Sequence, residues 1–211
     1  MDLRARFRDV VQSEADLRSV LGTPTPLVLR KEVKELDAHA RQFIERSPFL
    51  VVATHDADGR LDVSPKGDPA GFVKVLDDKT LAIPDRPGNR RADTFTNLIA
   101  NDRIGLIFLI PGKQETLRVS GRAIIVRDIA IRGRLSVKAK IPDFAIIVAV
   151  EQVFFHCAKC MIRSGLWAPE SWPGVAGLAT LAETLVSAAK PDESVQELQQ
   201  RIDDDAATNL Y

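Results

Sequence analysis

The sequence lacks several features, and each absence excludes a class of protein. Its 29 Lys and Arg residues balance 29 Asp and Glu residues, so the formal net charge is zero. Bulk binding of nucleic acid is therefore not expected, since that requires a strongly basic face. Two cysteines cannot build a disulfide framework, and they fit a reducing, cytoplasmic compartment. No run approaches about 18 consecutive apolar residues, so no membrane span is expected. The charged first 20 residues contain no apolar core of a secretory signal.

Motifs of common catalytic and metal sites are also missing. Neither G-x-G-x-x-G nor G-x-S-x-G occurs, and Gly112-Lys113 lacks the rest of a phosphate-binding P-loop. Cys157 and Cys160 form a Cys-x-x-Cys pair after His156, but three ligands fall short of a zinc site. We therefore interpret both cysteines as structural and expect no metal. Because the single tyrosine is Tyr211, we do not expect tyrosine acid–base chemistry.

The chain is organised as a β-rich centre between two helical ends. We predict a helical N-terminal segment over residues 1–46, a barrel domain over 47–170 and a helical extension over 171–211. In the first segment, Ser13 is expected to cap a helix that stops at Gly22, and TPTP (23–26) to form an extended linker. Alternating or β-branched runs predict strands at 49–54, 60–64, 72–76, 80–84, 104–110, 116–127 and 144–155. Helices are predicted at 32–46, 91–101, 129–137, 156–166, 171–190 and 192–207.

Seven short strands joined mostly by tight turns favour a small antiparallel barrel. Gly121 lies inside the long predicted strand 116–127, and it predicts a bulge or a barrel corner. The fold class is therefore mainly β with flanking helices.

The segment RPGNRR (86–91), here called the basic loop, holds three arginines between a predicted strand and a predicted helix. Guanidinium groups make bidentate contacts with phosphate, and the free N–H groups of a helix start also bind anions. These properties predict a phosphate site. The alternative is a solvated loop that is basic without function.

Two further stretches supply cations. Ser64, Lys66 and Gly67 lie at the end of a predicted strand and can hold an anion. The alternative is a plain turn, because SPKGDP consists largely of residues common in turns. Lys159 and Arg163 stand four residues apart and would share one helix face, where they either join the anion site or remain solvated. Trp167 could cover a flat ligand ring or simply pack.

Taken in order, three segments resemble the pyridoxamine 5′-phosphate oxidase-like FMN-binding split-barrel family. They are VVATHDADGRLDVSPKGDPAGFV, LAIPDRPGNRRADTF and NDRIGLIFLIPGKQETLRVSGRA. A later segment, FFHCAKCMIRSGLW, matches the family's FMN-binding, oxidase-related branch. The resemblance covers roughly residues 33–172. It implies a six-stranded antiparallel Greek-key split barrel that forms a homodimer, with FMN held at the interface by residues of both subunits.

The resemblance also implies site residues. The family's phosphate-gripping pair matches Arg90 and Arg91, with Asn89 just before them. Its earlier basic strand segment corresponds to Ser64, Lys66 and Gly67. Other matching positions are expected to contact the flavin: the backbone of Ile83 and Pro84, then Thr116 and Leu117, and finally Lys159, Arg163 and Trp167 from the C-terminal segment. The family's vitamin B6 oxidases finish in Arg-Leu-x-Pro, whereas this sequence finishes in DDDAATNLY, so a vitamin B6 substrate is not expected.

These observations predict an FMN-dependent oxidoreductase that transfers hydride through flavin N5, with NAD(P)H or another reductant as donor. The alternatives are a non-enzymatic flavin or haem store or sensor, and a deazaflavin (F420) reductase. The neutral total also conceals opposed segments. Residues 127–140, the basic segment, carry five Lys or Arg and one Asp, whereas 192–205 carry six Asp or Glu and one Arg. The acidic segment is either a solvated face or a partner for the basic one.

Overall fold

A computed structural model describes residues 2–211, which fall into two compact units divided after Glu32. The first unit holds α1 (Leu3–Arg6), α2 (Glu14–Leu21) and α3 (Pro26–Arg30). The predicted cap of α2 is confirmed, because Ser13 and Asp16 form a reciprocal capping box and the helix ends at Gly22. The predicted extended linker is too long by one residue, since Pro26 starts α3 at the position where proline is favoured.

The second unit, residues 33–211, contains a seven-stranded, fully antiparallel sheet with the strand order β2-β1-β5-β6-β7-β4-β3. Its strands are β1 (Phe49–His55), β2 (Leu61–Gly67), β3 (Lys74–Asp77), β4 (Thr80–Pro84), β5 (Arg103–Leu109), β6 (Thr116–Val126) and β7 (Ala145–His156). Its helices are α4 (Ala38–Arg46), α5 (Asp93–Ala100), α6 (Ile129–Arg134), α7 (Lys159–Ser164), α8 (Leu181–Ala189) and α9 (Val195–Thr208). The mainly β class with flanking helices is confirmed, with seven strands in place of six.

Alternation along the strands builds the core. On β1, Leu50, Val52 and Thr54 are buried, while the residues between them are partly exposed. Helix α4 adds Ala40, Phe43 and Ile44, whose spacing places them on one buried face. Across residues 2–211, none of the helices combines the length and apolarity that crossing a membrane requires.

All six predicted helices have different limits in the structure: that predicted over 129–137 ends at Arg134, and that predicted over 192–207 begins at Val195. For three others the cause is visible. The helix predicted over 32–46 begins only at Ala38, because Val33 exchanges two backbone hydrogen bonds with Val153 and Asp37 caps the helix. Strand β7 continues to His156, so the helix predicted from 156 begins at Lys159. The helix predicted over 171–190 is confined to α8, which starts at the capping box of Thr180 and Glu183. Pro173, Gly174 and Gly177 precede that cap and disfavour helix.

The predicted irregularity at Gly121 is confirmed as a shift in the β6–β7 register between Ser120 and Gly121. A Cβ atom built at this glycine would lie 2.0 Å from the carbonyl oxygen of Ala149. No side chain fits such a distance, so the close approach of β6 to β7 requires glycine here.

Candidate functional site

A row of polar side chains lies on one face of β2. Asp62, Ser64 and Lys66 alternate with exposed residues and are partly buried. Their partners on β1 are Thr54, Val52 and Leu50, all of which are buried, so the row faces the interior of the sheet. The Lys66 ammonium group donates a hydrogen bond of 2.6 Å to the Ser64 hydroxyl. An inward-facing lysine at the edge of a core is available to hold an anionic or polar ligand group.

Lys66 is electrostatically coupled to the segment that follows β4. Burial lowers the pKa of Lys66, and the carboxylates of Asp85 and Asp62 oppose that shift. Burial likewise raises the pKa of Asp85, against the opposing effects of the Arg86 N–H group and of Lys66. Two partly desolvated groups of opposite charge therefore influence each other, and such perturbed groups concentrate at functional sites.

The raised pKa of Asp85 gives a testable pH dependence. The native state binds this proton more tightly than the unfolded state, whose ordinary pKa is 3.8. Asp85 therefore stabilises the fold below that value, and its contribution is lost as pH rises through the raised pKa. In Asp85→Asn this term is absent, so the free energy of unfolding should rise relative to the wild type across that window and then level off. Urea unfolding of both proteins between about pH 3 and pH 7 measures this difference in the free energy of unfolding. A difference that stays constant over the range would contradict the assignment.

The basic loop joins β4 to α5 and is exposed from Pro87 onward. Its end is conformationally unusual, because Arg90 and Ala92 adopt left-handed backbone angles, with φ of 61° and 59°. The Asn89 side chain accepts a hydrogen bond of 3.1 Å from the Arg91 N–H group. Arg91 itself forms a 2.7 Å ion pair with Asp93, which raises the pKa of Arg91.

Helix α5 begins directly after this loop without a side-chain cap. The first N–H groups of an uncapped helix are free to bind an anion. Arg90 and Arg91, both exposed, stand immediately before these groups. The loop thus places two exposed arginines directly before the uncapped start of α5, and the Arg91 guanidinium is paired there with Asp93.

Arg86 differs from the other two arginines of the basic loop. Its Nε donates to the Asp68 carboxylate at 2.5 Å, and its Nη2 donates to the Leu135 carbonyl at 2.9 Å. The Arg86 and Asp68 side chains are only 17% and 1% exposed. Arg86 is therefore a structural anchor, and two of the three arginines remain at the surface to meet a ligand.

The remaining residues predicted near this site have restricted roles. Ile83 is fully buried in the core, so only its backbone could meet a ligand. Ile83 and Pro84 pair with Ile146 and Ala145 of β7, whereas pairing with β3 stops at Ala82. Gly67 ends β2.

The other predicted contacts form a second group. Thr116 is buried at the start of β6, and the Leu117 side chain belongs to the core. The Trp167 indole N–H donates to the Lys113 carbonyl at 2.8 Å. Lys159 and Arg163 are exposed on the six-residue helix α7. This group lies around the junction of β5, β6 and the end of β7.

The ladder along β7 separates the two groups within one chain. Pro84 lies opposite Ala145, at the start of β7, and Thr116 lies opposite His156, at its end. Eleven residue steps separate them, which would span roughly 36 Å along a straight strand at about 3.3 Å per residue. The structure thus brings Ser64, Lys66 and the basic loop together. The second group lies at the opposite end of β7 from Pro84, on the side where the β-ladder continues from Lys66 through Leu50 and Phe108 to Leu117.

Sequence reasoning missed three carboxylates of the site. Asp62 and Asp85 influence Lys66, and Asp68 holds Arg86. The two-residue periodicity of Asp62, Ser64 and Lys66 would have placed Asp62 on the inner face. Nothing local connects Asp68 with Arg86, 18 residues later. Over residues 2–211, no three His, Cys, Asp or Glu side chains are grouped to hold a metal, and both cysteines are free and exposed.

Comparison with known proteins adds a family to this geometry. A family model described as pyridoxamine 5′-phosphate oxidase matches residues 36–157, which is more than half of the chain. No curated protein matches.

Solved structures with a similar fold include HupZ from Group A Streptococcus, with 23% identity and a TM-score of 0.47 over 56% of this chain and 92% of that one. General Stress Protein 26 from Bacillus anthracis has 13% identity and a TM-score of 0.42, covering 54% of this chain and 88% of that one. HutZ, the heme storage protein from Vibrio cholerae, has 19% identity and a TM-score of 0.38, covering 58% and 94%.

Proposed function

This chain belongs to the pyridoxamine 5′-phosphate oxidase family, and from that membership we propose that it binds FMN and acts as an FMN-dependent oxidoreductase. The observation that carries the proposal is the exposed pair Arg90 and Arg91 beside the uncapped start of α5. This arrangement fits a phosphate monoester such as that of FMN. The match also spans the sheet and α5, the elements that position the pair.

The residues present suit both ends of the cofactor. Arg90 and Arg91 would hold the phosphate with bidentate hydrogen bonds, and the first N–H groups of α5 would add to them. Lys66 and Ser64 form a hydrogen-bonded pair on the inner face of β2, where a donor can meet the polar edge of a ring. The backbone of Ile83 and Pro84 would flank it. When bound, FMN supplies hydride transfer at N5, and the chain supplies orientation and electrostatics.

A homodimer is the second part of the proposal. The basic loop follows Pro84, which pairs at the start of β7, whereas Thr116 pairs at the end of β7, close to where Lys159, Arg163 and Trp167 follow in the chain. We expect a second copy to supply this second group to a shared flavin. The outer face of β2 exposes an apolar strip that favours such pairing, with Leu61 79% and Val63 64% exposed. Phe49 and Ile107 extend the strip across β1 and β5.

The purified protein should be yellow, absorb near ~450 nm as flavins do, and release FMN when denatured with acid. Light scattering on the yellow fraction should give twice the 23.2 kDa chain mass. Adding NADPH under air should then bleach and restore the flavin band if the protein is an oxidoreductase rather than a store.

Other outcomes would identify a different ligand or refute FMN binding. A strong Soret band would identify a haem binder, and a deazaflavin in the acid extract would identify a reductase of that class. A colourless protein that fails to take up added FMN would refute FMN binding altogether.

A further inference from the structure

The side chain of Tyr211 is held between groups from three parts of the second unit. Its hydroxyl donates a 2.8 Å hydrogen bond to the Asp68 carboxylate. The Arg86 guanidinium lies 5.9 Å from the ring centroid, and the Lys138 ammonium lies 4.9 Å from it. Lys140 donates to the main-chain oxygen of Tyr211. Bonding to Asp68 raises the pKa of Tyr211, so the hydroxyl keeps the proton that it donates.

Helix α9 delivers Tyr211 to this position. A capping box of Ser194 and Glu197 starts the helix, and Leu198 is buried beneath it. The acidic residue Glu193 pairs with Arg201 at 2.6 Å rather than with the basic segment. Contact with the basic segment is instead made by the aromatic ring and main chain of Tyr211. The chain after α9 thus meets the basic segment through Tyr211 and not through the acidic side chain of Glu193.

The two residues that Tyr211 contacts on the sheet side are the anchor of the basic loop. Asp68 stands two positions after Lys66, and Arg86 is the first residue of the loop. Their ion pair ties the end of β2 to the loop, and the Tyr211 hydroxyl takes the other oxygen of the same carboxylate. A buried carboxylate with both oxygens bonded holds its arginine in a fixed orientation.

The basic loop needs such anchoring. Arg90 and Ala92 are non-glycine residues with left-handed backbone angles, a conformation that carries a conformational cost. Strain of this kind persists only where the surroundings hold it. Helix α5 fixes the far end of the loop, and the Arg86 anchor fixes the near end.

We propose that Tyr211 is a positioning residue for the phosphate site: its docking onto Asp68 and Arg86 holds the basic loop in the conformation that presents Arg90 and Arg91. The inference rests on the proposed function, because FMN is the ligand whose phosphate the loop receives. Coupling between two sites is reciprocal, so bound FMN would in turn hold Tyr211 in place.

The test compares FMN and riboflavin, which differ by the phosphate, in variants of the full chain. Tyr211→Ala should weaken FMN binding by about 5- to 20-fold and change riboflavin binding by less than about twofold. Tyr211→Phe retains the ring contacts, and its affinity for FMN should lie between those of Tyr211→Ala and the wild type. Leu210→Ala, a truncation of an exposed neighbour, serves as the control and should match the wild type. Equal losses for both ligands, or no loss of FMN affinity, would overturn the proposal.

Amide hydrogen exchange provides a measurement that does not require a bound flavin. In Tyr211→Ala, exchange across residues 86–92 should speed up at least about threefold, with the strands of the sheet unchanged. If the wild type binds no FMN, the proposed function fails, and this exchange difference alone decides the inference. Unchanged exchange in the loop would then refute it.

Discussion

Replacing Arg90 and Arg91 together by alanine should weaken FMN binding by about 100-fold or more and change riboflavin binding by less than about threefold. A hydrogen bond to a charged group is worth about 1.5–3 kcal/mol, and each 1.4 kcal/mol is a factor of ten in affinity. Loss of Arg91 also leaves the Asp93 carboxylate, its partner at 2.7 Å, unpaired beside the proposed phosphate site. The added repulsion acts only on the phosphorylated ligand.

Two controls separate the charge effect from other causes. Arg18→Ala combined with Arg30→Ala removes the same charge from α2 and α3 and should leave FMN binding unchanged. Arg90→Gly removes one guanidinium while suiting the φ of 61° at that position, so backbone strain cannot explain its effect. Fluorescence titration of the flavin gives each dissociation constant. Parallel losses for FMN and riboflavin in the double variant would show that the pair does not bind the phosphate.

The sheet could be predicted from the sequence because its signals are local. Each of the seven predicted strands occurs within a few residues of its predicted limits, since alternation and turn residues act over short distances. Residues 32–37 were wrongly predicted as helix, because their conformation depends on the pairing of Val33 with Val153. That contact joins positions 120 residues apart in sequence, and periodicity cannot report it.

In the candidate site, too, features set by local sequence could be predicted, and features set by tertiary contacts could not. The exposure of Arg90 and Arg91 beside the start of a helix followed from the order of a strand, a Pro-Gly turn and an apolar periodic run. The anchoring role of Arg86 could not be predicted in this way. Its partner Asp68 follows β2, and the Tyr211 that bonds to Asp68 follows α9, so both are distant in sequence. Composition could identify cations suited to phosphate, but only tertiary contacts decide which cations are committed to the fold.

The fold should depend most sharply on the close approach of β6 to β7 at Gly121. Gly121→Ala would place a Cβ atom 2.0 Å from the Ala149 carbonyl oxygen, with the Glu151 nitrogen at 3.2 Å. Both neighbours are backbone atoms of β7, so no side chain can rotate to relieve the overlap. The ladder must open or shift, and we expect the free energy of unfolding to fall by about 3 kcal/mol. At about 2–4 °C per kcal/mol, the melting temperature should fall by roughly 6–12 °C.

Gly105→Ala is the matched control for this variant, because both glycines lie inside paired strands and Gly105 is in the neighbouring strand β5. Its Cβ would lie 3.8 Å from the Ala53 Cβ, an ordinary contact. Alanine lowers the conformational entropy of the unfolded chain relative to glycine, so this variant should be more stable than the wild type by up to about 1 kcal/mol. The two substitutions add the same methyl group and should shift urea midpoints in opposite directions. If Gly121→Ala unfolds at the wild-type midpoint, β7 can move away from β6, and the bulge does not require glycine.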